Sequence, residues 1–450
     1  MLYLLFGLTV AFTGVFYRAN GKKVFSVTFI SCAMYIVCEA TAIAAKKFYN
    51  TDITLDTVLL VVFSLFFLGL GELAMSNKGL VFNSTKKSKL NTRKEQEFTQ
   101  STPIRIPKLH VIILSLFLLV IAFLKFRSIL QFAASNGISG NYLLVFGRVR
   151  SYMTHGYAVY SMGTVLSQLN VFSTCCSYLF CYVFLYNRII CGYKNTINLL
   201  PVIAEFFVIL PSTGRTDYIR LFAVFFVIFI LFYLEKNNWI SRNNRKILLY
   251  CLLGIIGFII VFRLAGRLTG KSSFYGFAET IYRYVGAGIY GLDAYIRHPQ
   301  KRSVIFAQKT LYSLRNILNH LLGMHLDLGN QFNDAITIPG NNVETVMYTG
   351  LYVPLHEFGL LYLFATRMLI GAVYTGLINN FRKVKTRNVF SYIFFGWAFY
   401  PVIMGALDDG FPGLIAYSVL YMLFYLIILK RFFIDRNMRR NKERESYGYK

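Results

Sequence analysis

Apolar runs of about 18 residues or more recur along the chain, the length that carries a helix across the hydrocarbon core of a bilayer. No other feature restricts the fold as much, because a segment in lipid must satisfy its own backbone N–H and C=O groups and so becomes a helix. Eleven such runs are legible, at about 2–17, 24–45, 55–76, 109–124, 157–186, 196–211, 217–234, 246–264, 349–377, 388–406 and 413–430. The composition agrees: 56% of the 450 residues are hydrophobic, 15% are charged and the mean hydropathy is +0.51. A soluble chain of this length would carry amphipathic periods and more charge. The expected fold is an all-α polytopic membrane protein of about 11 transmembrane helices, forming one integral domain over 1–450. The first run, MLYLLFGLTVAFTGVFY, has no basic n-region and no small-x-small cleavage site, and reads as a retained span.

The connecting segments fall into two alternating sets. Segments 18–23, 77–108, 187–195, 235–246, 378–387 and 431–450 are all basic. The N-terminus, 46–54, 125–156, 211–216, 265–348 and 407–412 form the other set. Cytoplasmic loops collect Lys and Arg, so the N-terminus is expected outside and the C-terminus in the cytoplasm. Residues 275–296 are apolar but carry Glu279 and Arg283. They suit a re-entrant or interfacial helix, since a twelfth span would reverse the later loops against their charge. The cytoplasmic loop 77–108 is rich in Lys, Ser and Thr and is expected to be mobile. The large external loop 265–348 contains VIFAQKTLYSLRNILNHLL (304–322), whose Leu311, Leu314, Leu318, Leu321 and Leu322 recur at helical spacing. This predicts an amphipathic helix on the bundle or on the lipid surface.

The net charge is +27. The basic residues are spread between spans, where anionic headgroups neutralise them, and no nucleic-acid partner is expected. The seven cysteines form no CxxC pair and no Cys/His cluster, so neither disulfides nor a zinc site is expected.

Where the charge sits inside the apolar pattern is more informative. In 205-EFFVILPSTGRTDYIRLFAVFFVIFILF-232 two apolar runs are separated by PSTGRT, with Arg215 in the break and Arg220 just inside the second run. An arginine at the bilayer centre costs a few kcal/mol, which directs Arg220 toward a wet cavity. The outward segments also carry Arg127, Arg148, Arg150, Arg263, Arg267, Arg283, Arg297, Arg302 and Arg315. Arg263 and Arg267, four apart, project from one helix face. Topology needs only charge, whereas bidentate recognition of phosphate uses the guanidinium fork. The pattern predicts an outward cavity rimmed by guanidinium groups and suited to a lipid-linked diphosphate; the competing reading is snorkelling of each arginine to lipid phosphates. Glu39, Glu72 and Glu205 lie within apolar runs and are expected to face the bundle interior.

Five histidines are external in this topology: His155, His298, His320, His325 and His356. His356 and Glu357, in YTGLYVPLHEFGLLYLF at the mouth of the ninth run, form a pair suited to general acid/base work. Asp408 and Asp409 in GALDDGFPG are a second acidic site, or a turn. The Tyr-rich stretch FYGFAETIYRYVGAGIYGLDAY offers rings that stack on sugars or fill an interfacial belt.

Three local features and the layout resemble the bacterial oligosaccharide repeat-unit polymerases, the Wzy-type O-antigen and capsule polymerases. They are the STGRT break before an apolar run; Arg263, Arg267 and Arg283 at and beyond the eighth run; and 342-NVETVMYTGLYVPLHEFGLLYLFATRMLIG-371, which closes the large external loop. Members often carry Asp before the Phe-Gly, where this chain has His356 and Glu357. The resemblance implies a GT-C-like fold and a metal-independent inverting glycosyltransferase without cofactor, in the inner (plasma) membrane of a bacterium. Its substrates would be undecaprenyl-diphosphate-linked glycans, and its associates membrane lipids and the chain-length regulator and flippase of the same pathway. It assigns Arg215, Arg220, Arg263, Arg267 and Arg283 to diphosphate contact, Asn342, Thr345 and Tyr348 to glycan positioning, and His356 or Glu357 to activation of the acceptor hydroxyl. An O-antigen ligase of the same superfamily and a polysaccharide flippase or transporter are the alternatives.

Overall fold

The computed structural model describes residues 1–76, 102–140, 142–154, 160, 162–212, 216–239, 246–250, 254, 257, 276–300, 305–329, 334–383 and 388–436. In chain order the helices are α1 (Leu2–Ala19), α2 (Val27–Ala44), α3 (Leu55–Met75), α4 (Lys108–Ser135), α5 (Tyr142–Thr154), α6 (Thr164–Leu185), α7 (Leu200–Ile209) and α8 (Thr216–Lys236). Then come α9 (Phe277–Ile281), which runs through a π turn into α10 (Ala287–Arg297), and α11 (Tyr312–Leu322). After a hairpin of β1 (Ile336–Ile338) and β2 (Val343–Thr345) follow α12 (Tyr352–Phe358), α13 (Leu360–Lys383), α14 (Val389–Met404) and α15 (Tyr417–Lys430). Among the described residues eight helices are long and apolar enough to cross a membrane, and the stretches 196–212 and 389–404 are shorter apolar helices. The chain is an all-α polytopic membrane protein. The expected run at 246–264 lies mostly outside the described residues, as do 77–101 of the basic loop, 265–275 and the tail 437–450.

Two expected boundaries are corrected. The run 349–377 divides at Gly359, whose φ of +85° ends α12 before α13 starts at Leu360. Run 109–124 continues to Ser135, which brings Lys125 and Arg127 inside a helix instead of an external loop. The reason is legible in packing. Val111, Leu114, Leu118, Ile121 and Lys125 form one buried stripe at intervals of three and four residues, while Ile113, Leu116, Val120 and Phe123 are exposed on the lipid side.

Helix starts are fixed locally. The Ser26 hydroxyl accepts from Phe29 N–H at 3.2 Å ahead of α2, and Asn388 Oδ1 accepts from Phe390 N–H at 3.1 Å ahead of α14. The closest helix pair is α3 against α13. A Cβ built on Gly71 would lie 1.9 Å from the Met368 carbonyl oxygen, and one on Gly371 would lie 2.1 Å from that of Leu68. Only glycine lets these backbones meet, the small-residue packing that associates helices in lipid.

Side-chain bonds gather the loops at two ends of the bundle. At one end Asp293 Oδ1 accepts from Thr54 N–H (2.6 Å), Thr54 Oγ1 (2.7 Å) and Thr57 Oγ1 (2.7 Å). Gly350 N–H donates to the Gly405 carbonyl there at 2.9 Å. At the other end Asn187 brackets Ile104 through two 2.8 Å bonds, Tyr392 donates to Glu235 at 2.7 Å and Asn379 donates to the Met75 carbonyl at 2.8 Å. The segments of the second end belong to or adjoin the basic set of the sequence.

Helices α9 and α10 lie across the first end. Tyr49 donates to the Tyr282 carbonyl at 3.0 Å, Tyr290 donates to that of Ala42 at 3.1 Å, and Arg297 donates to that of Asp52 at 2.5 Å. Tyr290 and Tyr295 are buried by this packing, so these two rings serve the core and not a sugar-facing surface. The β hairpin is seated at the same end: Asn341 donates through N–H to the Tyr49 carbonyl (3.2 Å) and through Nδ2 to that of Phe48 (2.6 Å).

Candidate functional site

The three acids in apolar runs all face the interior. Glu39 accepts from Thr9 Oγ1 at 2.8 Å, Glu72 from Thr28 N–H at 2.7 Å and Glu205 from Thr174 Oγ1 at 2.9 Å. Glu205 differs from the other two in lining a chamber of about 150 Å³ among α4, α6, α7, α8, α14 and α15. Its neighbours there are Lys125, Asn170, Asp217, Arg220 and Trp397.

Four helices deliver the charged and amide groups of this chamber. The buried stripe of α4 ends at Lys125, which is 2% exposed and donates from Nζ to Asn170 Oδ1 at 2.7 Å. Asn170 and Thr174 lie one turn apart on α6. Helix α7, opened by Pro201 in its first turn, carries Glu205, whose Oε1 accepts from Thr174 while Oε2 has no hydrogen-bond partner among the described residues. Helix α8 carries Asp217 and Arg220 in its first turns, with an ion pair of 3.5 Å between them. The Arg220 guanidinium also sits 5.2 Å from the ring centroid of Tyr400 on α14. The chamber therefore holds two cations and two carboxyl groups, of which Asp217 and Arg220 are paired with each other. No carboxylate lies within ion-pair distance of Lys125 among the described residues, and its single acceptor is a neutral amide.

Arg220 thus lines a cavity, as its position in the sequence predicted. Arg215, Arg263, Arg267 and Arg302 lie outside the described residues. The Arg150 side chain also lies outside them, Arg127 is exposed on α4, and the other four have local partners. Arg283 pairs with Glu279 at 2.9 Å and packs over Phe48, and Arg297 pairs with Asp293 at 2.7 Å, each with a carboxylate four residues earlier. Arg148 donates to the Ser139 carbonyl and Arg315 to that of Phe306. Lys125, Glu205 and Asn170 were not predicted as site residues.

The remaining predicted residues gather at the first end, away from the chamber lining. His356 is buried, with Nδ1 3.2 Å from the Tyr295 hydroxyl and its ring stacked on Tyr352 at 5.4 Å. Tyr348 stacks on the other side of Tyr352 at 4.1 Å and donates to the Asp334 carbonyl at 2.9 Å. Glu357 spends both carboxylate oxygens on backbone N–H groups, of Lys309 at 2.5 Å and Thr310 at 3.1 Å. It anchors the approach to α11, an arrangement unlike that of a free general base. Lys309 lies beside the stack, 3.4 Å from the Tyr352 hydroxyl and 3.9 Å from the Asp334 carboxylate, and burial pushes its ammonium below the usual range. Thr345 is buried in β2 and accepts from Met347 N–H at 3.0 Å. Asn342 is exposed at the hairpin tip with a φ of +51°. In the 407–412 turn Asp409 accepts from Phe411 N–H at 3.1 Å, and burial pushes its carboxyl up to about 6 against the pull of Arg367.

Comparison with family models, with curated proteins and with solved structures gives no match for the chain.

Proposed function

We propose that the chain is a polymerase that joins undecaprenyl-diphosphate-linked oligosaccharide repeat units on the outer face of a bacterial plasma membrane. In this reading the chain crosses the membrane eleven times, with its N-terminus outside and its C-terminus in the cytoplasm. A hydroxyl at the non-reducing end of the incoming unit attacks the anomeric carbon of the growing chain. The new C–O bond forms as the bond to phosphate breaks, the diphosphate leaves with the electron pair, and the hydroxyl proton passes to a base. The charge that grows is on the leaving diphosphate, and fixed cations in a low-dielectric site stabilise it most.

The observation that carries this reading is the placement of Arg220: a guanidinium inside an apolar helix, braced by Asp217 and Tyr400, lining a chamber of about 150 Å³. That volume suits an anionic headgroup, while the sugars would lie toward the first end, near His356 and the hairpin. His356 is the candidate proton acceptor there, because Glu357 is engaged in anchoring backbone.

The test is Arg220→Lys, together with Arg215→Lys and Arg267→Lys, in cells making the polymer. The expected result is loss of the ladder of repeat units on undecaprenyl diphosphate, with membrane insertion intact. A wild-type ladder in all three variants overturns the reading. Glycan appearing only on a lipid A core would mark a ligase, and translocation of intact lipid-linked units without bond formation would mark a flippase.

A further inference from the structure

The placement of Arg220 leaves Lys125 unexplained. The residue is 2% exposed and lines the chamber, yet among the described residues its single hydrogen-bond acceptor is the neutral side chain of Asn170, at 2.7 Å. A buried ammonium without a counter-charge in contact is expensive in a protein interior, and more so inside a membrane. Lysine has three N–H donors, which leaves two without an acceptor among the described residues. Across the same chamber Glu205 Oε2 has no hydrogen-bond partner among the described residues.

We infer that Lys125 is the inner contact for a phosphoryl group of an amphiphile that enters the chamber past Arg220, with Asn170 positioning the ammonium. This deepens the function proposed above and rests on the same chamber. Three observations favour an anion over a cation or a neutral ligand. Lys125 and Arg220 both line the space. Asp217 is already paired with Arg220 at 3.5 Å. Glu205 is hydrogen-bonded to Thr174 at 2.9 Å and not to Lys125. A volume of about 150 Å³ is well above the ~10–15 Å³ that a single water needs, and leaves room for a phosphoryl group. A prenyl diphosphate and a bulk phospholipid share the required chemistry, and the experiment separates them.

The chain has two tryptophans, Trp239 and Trp397, and Trp397 lines the chamber. Trp239→Phe therefore leaves one indole as a reporter. Farnesyl diphosphate is titrated into this full-length protein in phosphatidylcholine nanodiscs. The expected result is a saturable change in Trp397 emission that farnesol does not produce. Lys125→Met, which keeps an unbranched side chain one atom shorter and removes the charge, is expected to weaken the response at least tenfold. Asn170→Asp, which gives the ammonium a full counter-charge, is expected to weaken it comparably, and it serves as the second variant should Lys125→Met fail to fold. If phosphatidylglycerol nanodiscs alone shift the emission and Lys125→Met abolishes that shift, the site stands with bulk lipid as its occupant. No saturable response in either lipid, or an unchanged response in the folded Lys125 and Asn170 variants, overturns the inference. Those results leave the polymerase reading to its own test, because the ladder assay varies Arg215, Arg220 and Arg267 and not Lys125.

Discussion

Arg220 on α8 holds its guanidinium 5.2 Å from the ring centroid of Tyr400 on α14, so one wall of the chamber braces the cation of another. A desolvated cation–π contact contributes about 2 kcal/mol. Tyr400→Leu is therefore expected to cut polymer yield roughly tenfold or more, and Tyr400→Phe, which keeps the ring, to leave it within about threefold. Ladder length and total polymer in cells check this. Equal yields from the two variants would show that the ring does not hold Arg220 in place.

Gly371 and Gly71 set the distance between α13 and α3. Gly371→Leu inserts a side chain where even a Cβ would lie 2.1 Å from a backbone oxygen. Overpacking costs typically ~1–3 kcal/mol, and here the neighbour is main chain that cannot rotate away. The expected outcome is a lower melting temperature in detergent and a loss of monodisperse protein on size-exclusion chromatography. Gly14→Leu, with open space around its Cβ, is the control expected to behave as wild type.

Glu357 separates anchoring from catalysis. Glu357→Gln keeps one acceptor for the two N–H groups, while Glu357→Ala removes both. Hydrogen bonds to a charged group contribute ~1.5–3 kcal/mol. Hydrogen exchange over 305–322 is expected to speed up strongly in Glu357→Ala and weakly in Glu357→Gln. Polymer yield should follow the same order. A complete loss of activity in Glu357→Gln with normal exchange protection would restore Glu357 as the base.

Asp52 gives a pH signature at the first end. Burial alone would raise its carboxyl, but hydrogen bonds from Lys46, the Met1 amine and the N–H groups of Leu2 and Ile53 outweigh burial and hold it below the ordinary carboxylate range. A folded-state value below the unfolded one, ~3.9, means that ionised Asp52 adds stability above that pH. The contribution is lost as pH falls through the folded value. Asp52→Asn is expected to lower the melting temperature at pH 7 and to match wild type increasingly closely below pH ~4. Thermal unfolding in detergent at several pH values measures it, and a gap that persists undiminished into strong acid contradicts the assignment.

The apolar runs and the inward direction of Glu39, Glu72 and Glu205 were legible because lipid makes any other arrangement costly. Arg220 was legible for the same reason. Lys125 was not. In FLKFRS a lysine and an arginine close an apolar run, which is also how a span ends at the headgroups, and the acceptor that holds Lys125 inside is 45 residues away on α6. The signal available was periodic: Val111, Leu114, Leu118 and Ile121 extend to Lys125 on a single face. The role of Glu357 was hidden similarly, since its partners lie 47 and 48 residues upstream. The hairpin escaped because strands of three residues carry no readable alternation.

The seat of that hairpin has an asymmetry that bears on which positions tolerate change. Phe48 and Tyr49 receive Asn341 through main-chain oxygens, and a carbonyl is present whatever the side chain. Gly340 cannot vary, because its φ is +103° and a Cβ would fall 2.4 Å from the Tyr49 oxygen; Asn341 supplies a second donor that few residues can replace. The two sides of the clasp should thus diverge at different speeds. On the receiving side the limits come from side-chain contacts made elsewhere, the bond of Tyr49 to Tyr282 and the packing of Arg283 over Phe48, whereas the Gly-Asn tip has to stay as it is for the large loop to keep its place.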